Sequence, residues 1–354
     1  MTESKQNHYK SPVTATITGI RDLFKKHIPA GELKDDDRLD GKRVVITGSS
    51  SGLGFATAVG MAKRGAEVIM AVRSGIPSRG EEVKKLSGSE KVSMLFVDLS
   101  DVDSILKFAG ELKRKYDTID ILVCNAAVVP KKSRKTPQGF EQMFMVNYFA
   151  KFILVNKLLE LNIFNREKGQ VPRIIFVSSE SHRNPKEFKL DGFGEYQDFK
   201  IGKVMELYGY YKLMMTTFAN ELSRRLNPGN VTDYSVFALC PGPVNSNIAR
   251  EAPKIFQPLL KLTFSIFFQS PKKACEPVIY LAASKDVEGK PTDYLFLMSR
   301  KDMDEKATDP VNGKKLWEVS EILWDKMLDA GSHRQSTMRE ALAVAQAERE
   351  GGLN

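Results

Sequence analysis

The sequence has few cysteines and no long apolar run. Its three cysteines, Cys124, Cys240 and Cys275, are odd in number and widely separated, which favours a reducing compartment and predicts neither disulfides nor a metal site. No segment reaches the roughly 18 uninterrupted apolar residues of a membrane-spanning helix. The polar start, Met1–Lys10, lacks the apolar core of a cleaved signal peptide. We therefore expect an intracellular protein, cytoplasmic or peripherally associated with a membrane.

Dense tracts of positive charge are also missing, although the formal net charge is +9. Lysine and arginine are spread along the whole chain. This pattern favours a solvated basic surface over a nucleic-acid interface. It is compatible with a site for an anionic cofactor but does not establish one. We expect no nucleic-acid partner.

Short β-branched runs alternate with helical stretches from Lys42 onward, and the alternation predicts βαβ units around a parallel sheet. The predicted strands are Arg43–Thr47, Glu67–Val72, Val92–Val97, Ile119–Cys124, Arg173–Ser178, Thr232–Leu239 and, as a seventh, Tyr294–Met298. The predicted helices are Gly54–Arg64, Val102–Tyr116, Gly139–Leu161 and Gly202–Leu226. Because no repeat or second core is visible, we predict a single doubly wound α/β domain of Rossmann type over residues 41–330, with a mostly parallel seven-stranded sheet.

Two extensions flank this predicted domain. Within residues 1–40, a disordered start precedes Val13–Ile28, where apolar residues recur at helical spacing among basic ones. This segment is either a helix packed on the outside of the domain or an amphipathic helix on a membrane surface. Residues 331–354 form a charged tail, either an exposed helix or disordered.

A glycine run follows the first predicted strand directly, in Thr47-Gly48-Ser-Ser-Ser-Gly52-Leu-Gly54. Glycines allow a tight turn and close backbone approach, and the N-terminus of the next helix offers free N–H groups to a pyrophosphate. The spacing is G-x-x-x-G-x-G, which differs from the general G-x-G-x-x-G fingerprint. The run predicts a dinucleotide site, with an ordinary strand-to-helix turn as the alternative.

The second and third predicted strands end in charged residues. Arg73 stands where an acidic residue would receive the ribose 2′-hydroxyl of NAD. A guanidinium there suits the 2′-phosphate of NADP, or is a solvated surface arginine. Asp98 lies at the end of the third strand, either in the ligand crevice or as a helix cap. The sequence therefore favours NADP over NAD.

Tyr208 and Lys212 are four residues apart and, in a helix, lie one turn apart on one face. A phenol has a pKa of about 10, and a neighbouring ammonium favours its ionised form. The pair is either an acid/base group with its helper or two ordinary surface neighbours.

Three other positions carry polar groups that suit such a centre. Ser178 and Ser179 end the fifth strand, where a hydroxyl can donate to a substrate oxygen or simply form a turn. Asn147 is an amide within an otherwise apolar helix, which suits a buried polar network. The stiff turn Pro241–Ser246 follows the sixth strand; Ser246 reaches the nicotinamide carboxamide, or the segment is a plain turn.

Taken in order, these motifs resemble the short-chain dehydrogenase/reductase family over about residues 42–300. The resemblance implies hydride transfer between a nicotinamide and a carbonyl or alcohol carbon. It implies a catalytic set of Asn147, Ser179, Tyr208 and Lys212, in which Tyr208 exchanges the proton and Lys212 grips the ribose and lowers the tyrosine pKa. Ser179 would hold the oxygen, and Asn147 a water. The cofactor-binding residues that we predict are Thr47, Gly48, Ser50, Ser51, Gly52, Leu53, Gly54, Arg73, Asp98, Leu99, Asn125, Ala126, Ala127, Tyr208, Lys212, Pro241, Gly242, Val244 and Ser246.

Within the family, the run Val177–Arg183, the long gap between Ser179 and Tyr208, and the stretch Lys315–Leu323 resemble the retinol dehydrogenase and WW-domain oxidoreductase branch. There is weaker similarity to light-dependent protochlorophyllide reductase. That enzyme has a functional cysteine after its Pro-Gly pair, whereas Pro243 stands here. The difference argues against protochlorophyllide as the substrate.

The apolar segment Ile255–Phe268, within residues 250–270, is predicted to be a lid over a lipophilic substrate such as a retinoid, a steroid or a long-chain aldehyde. A core helix and a membrane-surface contact are its alternatives. The leading hypothesis is an NADP(H)-dependent oxidoreductase, and its oligomeric state is left open, with a dimer as one option. The competing ones are a cofactor-binding regulatory protein with little turnover and a membrane-surface scaffold.

Overall fold

The computed structural model describes residues 29–167, 169–229, 231–242 and 269–329. Several predictions concern other parts of the chain. The N-terminal helix, the lid segment Ile255–Phe268, the charged tail, Val244 and Ser246 all lie outside the described residues.

One eight-stranded sheet organises the described chain. Its strands are β1 (Arg43–Thr47), β2 (Glu67–Val72), β3 (Val92–Phe96), β4 (Ile121–Cys124), β5 (Arg173–Val177), β6 (Ser235–Cys240), β7 (Thr292–Phe296) and β8 (Ser299–Arg300). The order is β3-β2-β1-β4-β5-β6-β7-β8, and only the last pair is antiparallel. The prediction of a doubly wound, mostly parallel sheet is confirmed. The eighth strand was missed because two residues carry no periodicity.

Helices cover both faces of the sheet. They are α1 (Gly52–Lys63), α2 (Ser78–Ser87), α3 (Val102–Lys115), α4 (Gln142–Phe144), α5 (Ala150–Glu160), α6 (Val204–Leu226), α7 (Pro271–Ala274), α8 (Glu276–Ala283), α9 (Glu305–Thr308) and α10 (310–329). Strand side chains alternate between two cores. Val45 packs in the core with α3, α5 and α6, whereas Val44 and Ile46 pack in the core with α1 and α8. The central strands are therefore continuously apolar, as expected where both faces are covered.

Several predicted element boundaries were wrong. The predicted helix Gly139–Leu161 is broken, because a π-helical turn, Met145–Phe149, separates α4 from α5. The fourth strand begins at Ile121, two residues later than predicted, and the sixth at Ser235 instead of Thr232. Helix α2 was not predicted, because its segment is rich in charge and has only two buried residues, Gly80 and Val83. Secondary structure there is decided by packing on α1 and on β3.

The sheet order reverses between β1 and β4. Strands β1 and β4 are neighbours, while β2 and β5 lie on opposite sides of them. In open α/β sheets, ligands bind in the crevice outside the carboxyl ends of the strands at such a point. The glycine run follows β1 and Asn125 follows β4, so both lie at this crevice.

Candidate active site

The glycine run packs too closely on its neighbours to carry side chains. Gly48 and Gly52 have φ angles of 66° and 57°, in the left-handed region that favours glycine. A Cβ atom on Gly54 would lie 2.4 Å from Nδ2 of Asn125 and 2.6 Å from the carbonyl oxygen of Gly48. A Cβ on Gly48 would lie 2.9 Å from Cα of Ala126. The loop is therefore pressed against the segment that follows β4.

Side chains from both strands fix this contact. The hydroxyl of Thr47 accepts hydrogen bonds from the backbone N–H groups of Asn125 and Ala126, at 3.0 and 3.2 Å. The amide of Asn125 donates to the carbonyl oxygens of Thr47 and Gly48, at 2.9 and 3.2 Å. The predicted cofactor residues Thr47 and Asn125 thus act on the shape of the loop through the backbone.

The loop opens onto the N-terminus of α1. Ser51 caps this helix without a side-chain hydrogen bond, and no acidic residue stands in the first turn. The unpaired N–H groups and the helix dipole therefore favour an anion at this point. Ser51 is exposed and Ser50 is half-buried, while Leu53 is turned into the core.

Arg73 and Asp98 lie together at the ends of β2 and β3. The Nη1 atom of Arg73 is 3.8 Å from Oδ2 of Asp98, and 61% of the arginine side chain is exposed. Asp98 also accepts hydrogen bonds from the N–H and the hydroxyl of Ser100, at 2.9 and 2.6 Å. Asp98 is therefore held in place, whereas the guanidinium remains accessible. Leu99, a predicted cofactor residue, is buried in the core.

A second guanidinium at this edge was missed from the sequence. Arg79 donates to the carbonyl oxygen of Ser50 at 2.8 Å, stacks 4.1 Å from the ring centre of Phe55 and pairs with Glu82. It belongs to α2, the helix whose apolar pattern was too weak to predict. A basic residue six positions after Arg73 was the only available signal.

Asn147 lies inside the π-helical turn and is fully buried. Its Oδ1 atom accepts from the N–H of Val128 at 2.8 Å, and its Nδ2 atom donates to the carbonyl oxygen of Val128 at 2.9 Å. The turn therefore brings Asn147 against Val128, which directly follows the Asn-Ala-Ala segment that borders the glycine loop. Its amide is hydrogen-bonded to the backbone there, as is usual for a buried polar group.

The two serines at the end of β5 have different surroundings. Ser178 is buried, and its hydroxyl lies 2.7 Å from that of Thr216. Ser179 is half-buried; its oxygen accepts from the N–H of Ser181 at 3.2 Å. Ser179 also acts on the Tyr208 hydroxyl by a hydrogen-bond contact that lowers the tyrosine pKa. Ser179 is thus the serine that meets the tyrosine.

Tyr208 and Lys212 share one face of α6, as their spacing predicted. The Nζ atom of Lys212 lies 5.6 Å from the Tyr208 ring centre and donates to the carbonyl oxygen of Val177 at 2.7 Å. Lys212 is only 1% exposed. Tyr211, which adjoins Lys212 in the chain, is turned into the core. The pair is therefore not a set of ordinary surface neighbours.

The electrostatics differ from the prediction for Tyr208. Burial raises the pKa of the Tyr208 phenol, the neighbouring Cys240 acts in the same direction, and the contact with Ser179 opposes them in part. Burial, and then the charge of Lys151, lower the pKa of Lys212 to about 7. The expected lowering of the tyrosine pKa was wrong, because desolvation disfavours the charged forms of both side chains.

The turn after β6 closes the described site. Pro241 is buried, and Gly242 has a φ angle of 74°, where a Cβ would meet Leu297 at 2.4 Å. Within the described residues, no group of histidine, cysteine and acidic side chains could hold a metal ion, and none of the helices is long and apolar enough to cross a membrane. The site residues come from segments at the carboxyl ends of the parallel strands, including the first turns of α1 and α2, and from α6 and the π-helical turn.

This fold and site define a nicotinamide-dependent oxidoreductase, and the chain belongs to the short-chain dehydrogenase/reductase family. The family model for short chain dehydrogenases matches residues 42–189. The chain is 32% identical to human retinol dehydrogenase 14 over 309 residues, covering 82% of this chain and 88% of the relative. It is 31% identical to the WW domain-containing oxidoreductase of Gallus gallus, covering 86% and 73%. These relatives confirm the branch suggested by the sequence.

A solved structure agrees with the fold. The crystal structure of a protein from Mycobacterium paratuberculosis is 26% identical to this chain, with a TM-score of 0.62, and the match covers 84% of this chain and 97% of that one. Members of the family act on CH–OH and C=O groups with a nicotinamide cofactor. The glycine cradle, which a Cβ would fill, fits such a dinucleotide.

We expect Gly54→Ala to destabilise the protein and to weaken cofactor binding. The added methyl would collide with Asn125 and with the backbone of Gly48, and overpacking of this kind costs about 1–3 kcal/mol. Chemical denaturation and NADPH titration measure the two effects. Gly110→Ala is the matched control, because nothing lies within 4 Å of its Cβ position in α3. The control should increase the free energy of unfolding by up to about 1 kcal/mol, because alanine favours the helix more than glycine does. Equal stability and equal NADPH affinity in the two variants would contradict a close-packed cofactor site at Gly54.

Proposed function

We propose that this protein is an NADP(H)-dependent oxidoreductase that interconverts a carbonyl and an alcohol on a lipophilic substrate. The observation that carries the proposal is the placement of Tyr208, with its hydroxyl beside Ser179 and its ring beside the Lys212 ammonium, at the same sheet edge as the glycine cradle. A proton donor, an oxygen-binding hydroxyl and a cation stand together there. This is the set that carbonyl reduction requires.

Each residue has a defined role in this proposal. The N-terminus of α1 and the glycine loop hold the pyrophosphate, and Arg73 meets the ribose 2′-phosphate. The bound nicotinamide supplies or accepts the hydride. Tyr208 gives its proton to the substrate oxygen during reduction, or takes it during oxidation. Ser179 donates a hydrogen bond to that oxygen as negative charge develops there.

The raised pKa of Tyr208 suits reduction. A phenol whose pKa is above its ordinary value stays protonated at neutral pH and is ready to donate. Oxidation needs the phenolate, which requires a positive charge near the ring. Lys212 can provide that charge when it is protonated. With a pKa of about 7, Lys212 is partly protonated at pH 7.

Two observations support a lipophilic substrate. Met205 precedes Tyr208 by three residues on α6 and is 51% exposed, and Ile201 is 67% exposed four residues earlier. Met205 lies on the Tyr208 face of α6, Ile201 lies in the 3-10 turn just before this helix, and both present apolar surface to solvent. In addition, the relatives named above include a retinol dehydrogenase.

The substrate test is a panel assay with purified protein. NADPH or NADH would be offered with retinal, steroid ketones, long-chain aldehydes and short hydrophilic aldehydes, and cofactor oxidation would be followed. We expect turnover with NADPH and a preference for the apolar members of the panel. NADPH binding without turnover on any substrate would contradict the proposal and favour a regulatory protein. Turnover of only the hydrophilic aldehydes would contradict the substrate class.

The cofactor preference is tested at Arg73. A charge-assisted hydrogen bond contributes roughly 1.5–3 kcal/mol, so Arg73→Ala should raise the Kd of NADPH by about 10- to 100-fold. The Kd of NADH should change little, because NADH lacks the 2′-phosphate. Arg114→Ala, which removes an exposed cation of α3 far from the cradle, is the control for net charge. Equal losses for both cofactors would rule out the phosphate role of Arg73.

A further inference from the structure

Lys151 is a second buried lysine near the site, and the mechanism above does not use it. It lies in the first turn of α5 and is 1% exposed. Its Nζ atom donates to the carbonyl oxygens of Ala126 and Val146, at 2.9 and 2.7 Å. Within the part of the chain that the structure describes, no carboxylate pairs with it. Burying an ammonium without a carboxylate partner is costly, and the two hydrogen bonds to carbonyl oxygens offset part of this cost.

Both acceptors belong to segments that shape the site. Ala126 is the middle residue of the Asn-Ala-Ala segment, and its N–H donates to Thr47 beside the glycine loop. Val146 lies in the π-helical turn, directly before Asn147. Asn147 in turn grips both backbone groups of Val128. Lys151 and Asn147 therefore tie the turn to the same short stretch of backbone at two points.

We propose that Lys151 is a positioning residue of this active site: its ammonium joins the π-helical turn to the Asn-Ala-Ala segment through the carbonyl oxygens of Val146 and Ala126. This inference rests on the proposed function for its effect on turnover. The tie fixes the wall against which Gly48 packs and the direction of the Asn147 amide. Lys151 touches neither substrate nor cofactor in this role.

The tie also has an electrostatic consequence, which depends on a small group of neighbours. Cys124 on β4 acts on Lys151, while Cys240 on β6 and Lys151 itself act on Lys212. Burial lowers the pKa of Lys151 to about 8, and the positive charge of Lys151 contributes to lowering that of Lys212. Removing the Lys151 charge should therefore raise the pKa of Lys212.

The test compares Lys151→Met, which keeps the length of the side chain and removes its charge, with Lys157→Met. Lys157 is on the same helix and pairs with Glu160 at the surface. We expect Lys151→Met to raise the Kd of NADPH about tenfold and to lower kcat by about 10- to 100-fold, because small displacements in an active site have effects of this size. The substrate KM should stay unchanged, and Lys157→Met should match the wild type.

Titration of ¹⁵N-labelled lysine side chains by NMR gives a readout that needs no turnover. The Lys212 pKa should move upward in Lys151→Met and remain low in Lys151→Arg, which keeps the charge. A purely structural role predicts lower thermal stability with Lys212 titration, Kd and kcat unchanged below the Tm, and that result would overturn the proposal.

Two further outcomes are decisive. If the wild-type protein shows no turnover, the proposed oxidoreductase function fails. The role of Lys151 is then still decided by NADPH binding and by the Lys212 titration, so failure of one proposal can be told from failure of the other. If Lys151→Met does not fold, the wild-type titration decides. Lys151 and Lys212 must then titrate as an interacting pair, and independent titration would refute the electrostatic role.

Discussion

Tyr208→Phe is expected to lower kcat by about 10²- to 10⁴-fold, the range that a positioned acid/base group contributes. The substitution removes only the hydroxyl that Ser179 contacts and leaves the ring beside Lys212 in place. We therefore expect the Kd of NADPH and the Tm to stay close to those of the wild type. Steady-state kinetics with the preferred aldehyde, cofactor titration and thermal unfolding measure the three quantities.

Tyr210→Phe is the matched control for this result. It makes the same chemical change two residues further along α6, on a different face of the helix. We expect its kcat to remain within about twofold of the wild type, a margin far smaller than the effect of removing an acid/base group. A normal kcat for Tyr208→Phe, or an equal loss of kcat in both variants, would show that Tyr208 is not the acid/base group.

Lys212→Met is expected to lower kcat by at least about 10²-fold while stabilising the cofactor-free protein. The loss follows because Lys212 supplies the only cation that we assign to the Tyr208 ring. The gain follows because a buried ammonium is replaced by an apolar chain of similar length. Replacement of buried charges by apolar side chains has raised stability by about 1–4 kcal/mol, although the hydrogen bond to Val177 is lost here.

The pH dependence of stability identifies the cause of that gain. The folded pKa of Lys212 is lowered to about 7, whereas an unfolded lysine has a pKa of about 10.4. Between these values the unfolded chain binds a proton that the folded protein does not, so wild-type stability should rise with pH through this window. Lys212→Met lacks this contribution, and its advantage should therefore shrink from pH 7 to pH 10.

Urea denaturation at several pH values measures this difference. Lys203→Met, an exposed change at the start of α6, controls for the loss of a lysine charge from the same helix. A Lys212→Met protein that is several kcal/mol less stable than the wild type at pH 7 would show that the buried ammonium is net stabilising. That outcome would contradict the desolvation argument for Lys212.

The regular parts of the fold were predictable because burial leaves a direct pattern in the sequence. Strands that are covered on both faces must be continuously apolar, and Arg43–Thr47 and Glu67–Val72 were located to the residue for this reason. Helix α2 and strand β8 could not be found in this way. Each buries too few side chains for periodicity to show, so their conformation depends on neighbours that are distant in sequence.

The candidate site was predictable in its members and less so in their arrangement. Tyr208 and Lys212 share a face because α-helical geometry depends only on local spacing. The position of the glycine run between a strand and a helix could likewise be read from the order of residues in the chain. The break in the helix at Asn147 was not visible, since a π-helical turn has no apolar period of its own. Arg79 and Lys151 were missed because their partners lie on other elements.

The sequence by itself determined the order of chemical groups along the chain and, through strand polarity, the sheet edge at which they meet. Only the tertiary structure decided their electrostatics. The ammonium of Lys212 was expected to favour the ionised form of Tyr208. In the fold, burial disfavours the charged form of each, and Lys151 adds a like charge from α5. Desolvation depends on every element packed around a group, so the four-residue spacing of Tyr208 and Lys212 could not predict it.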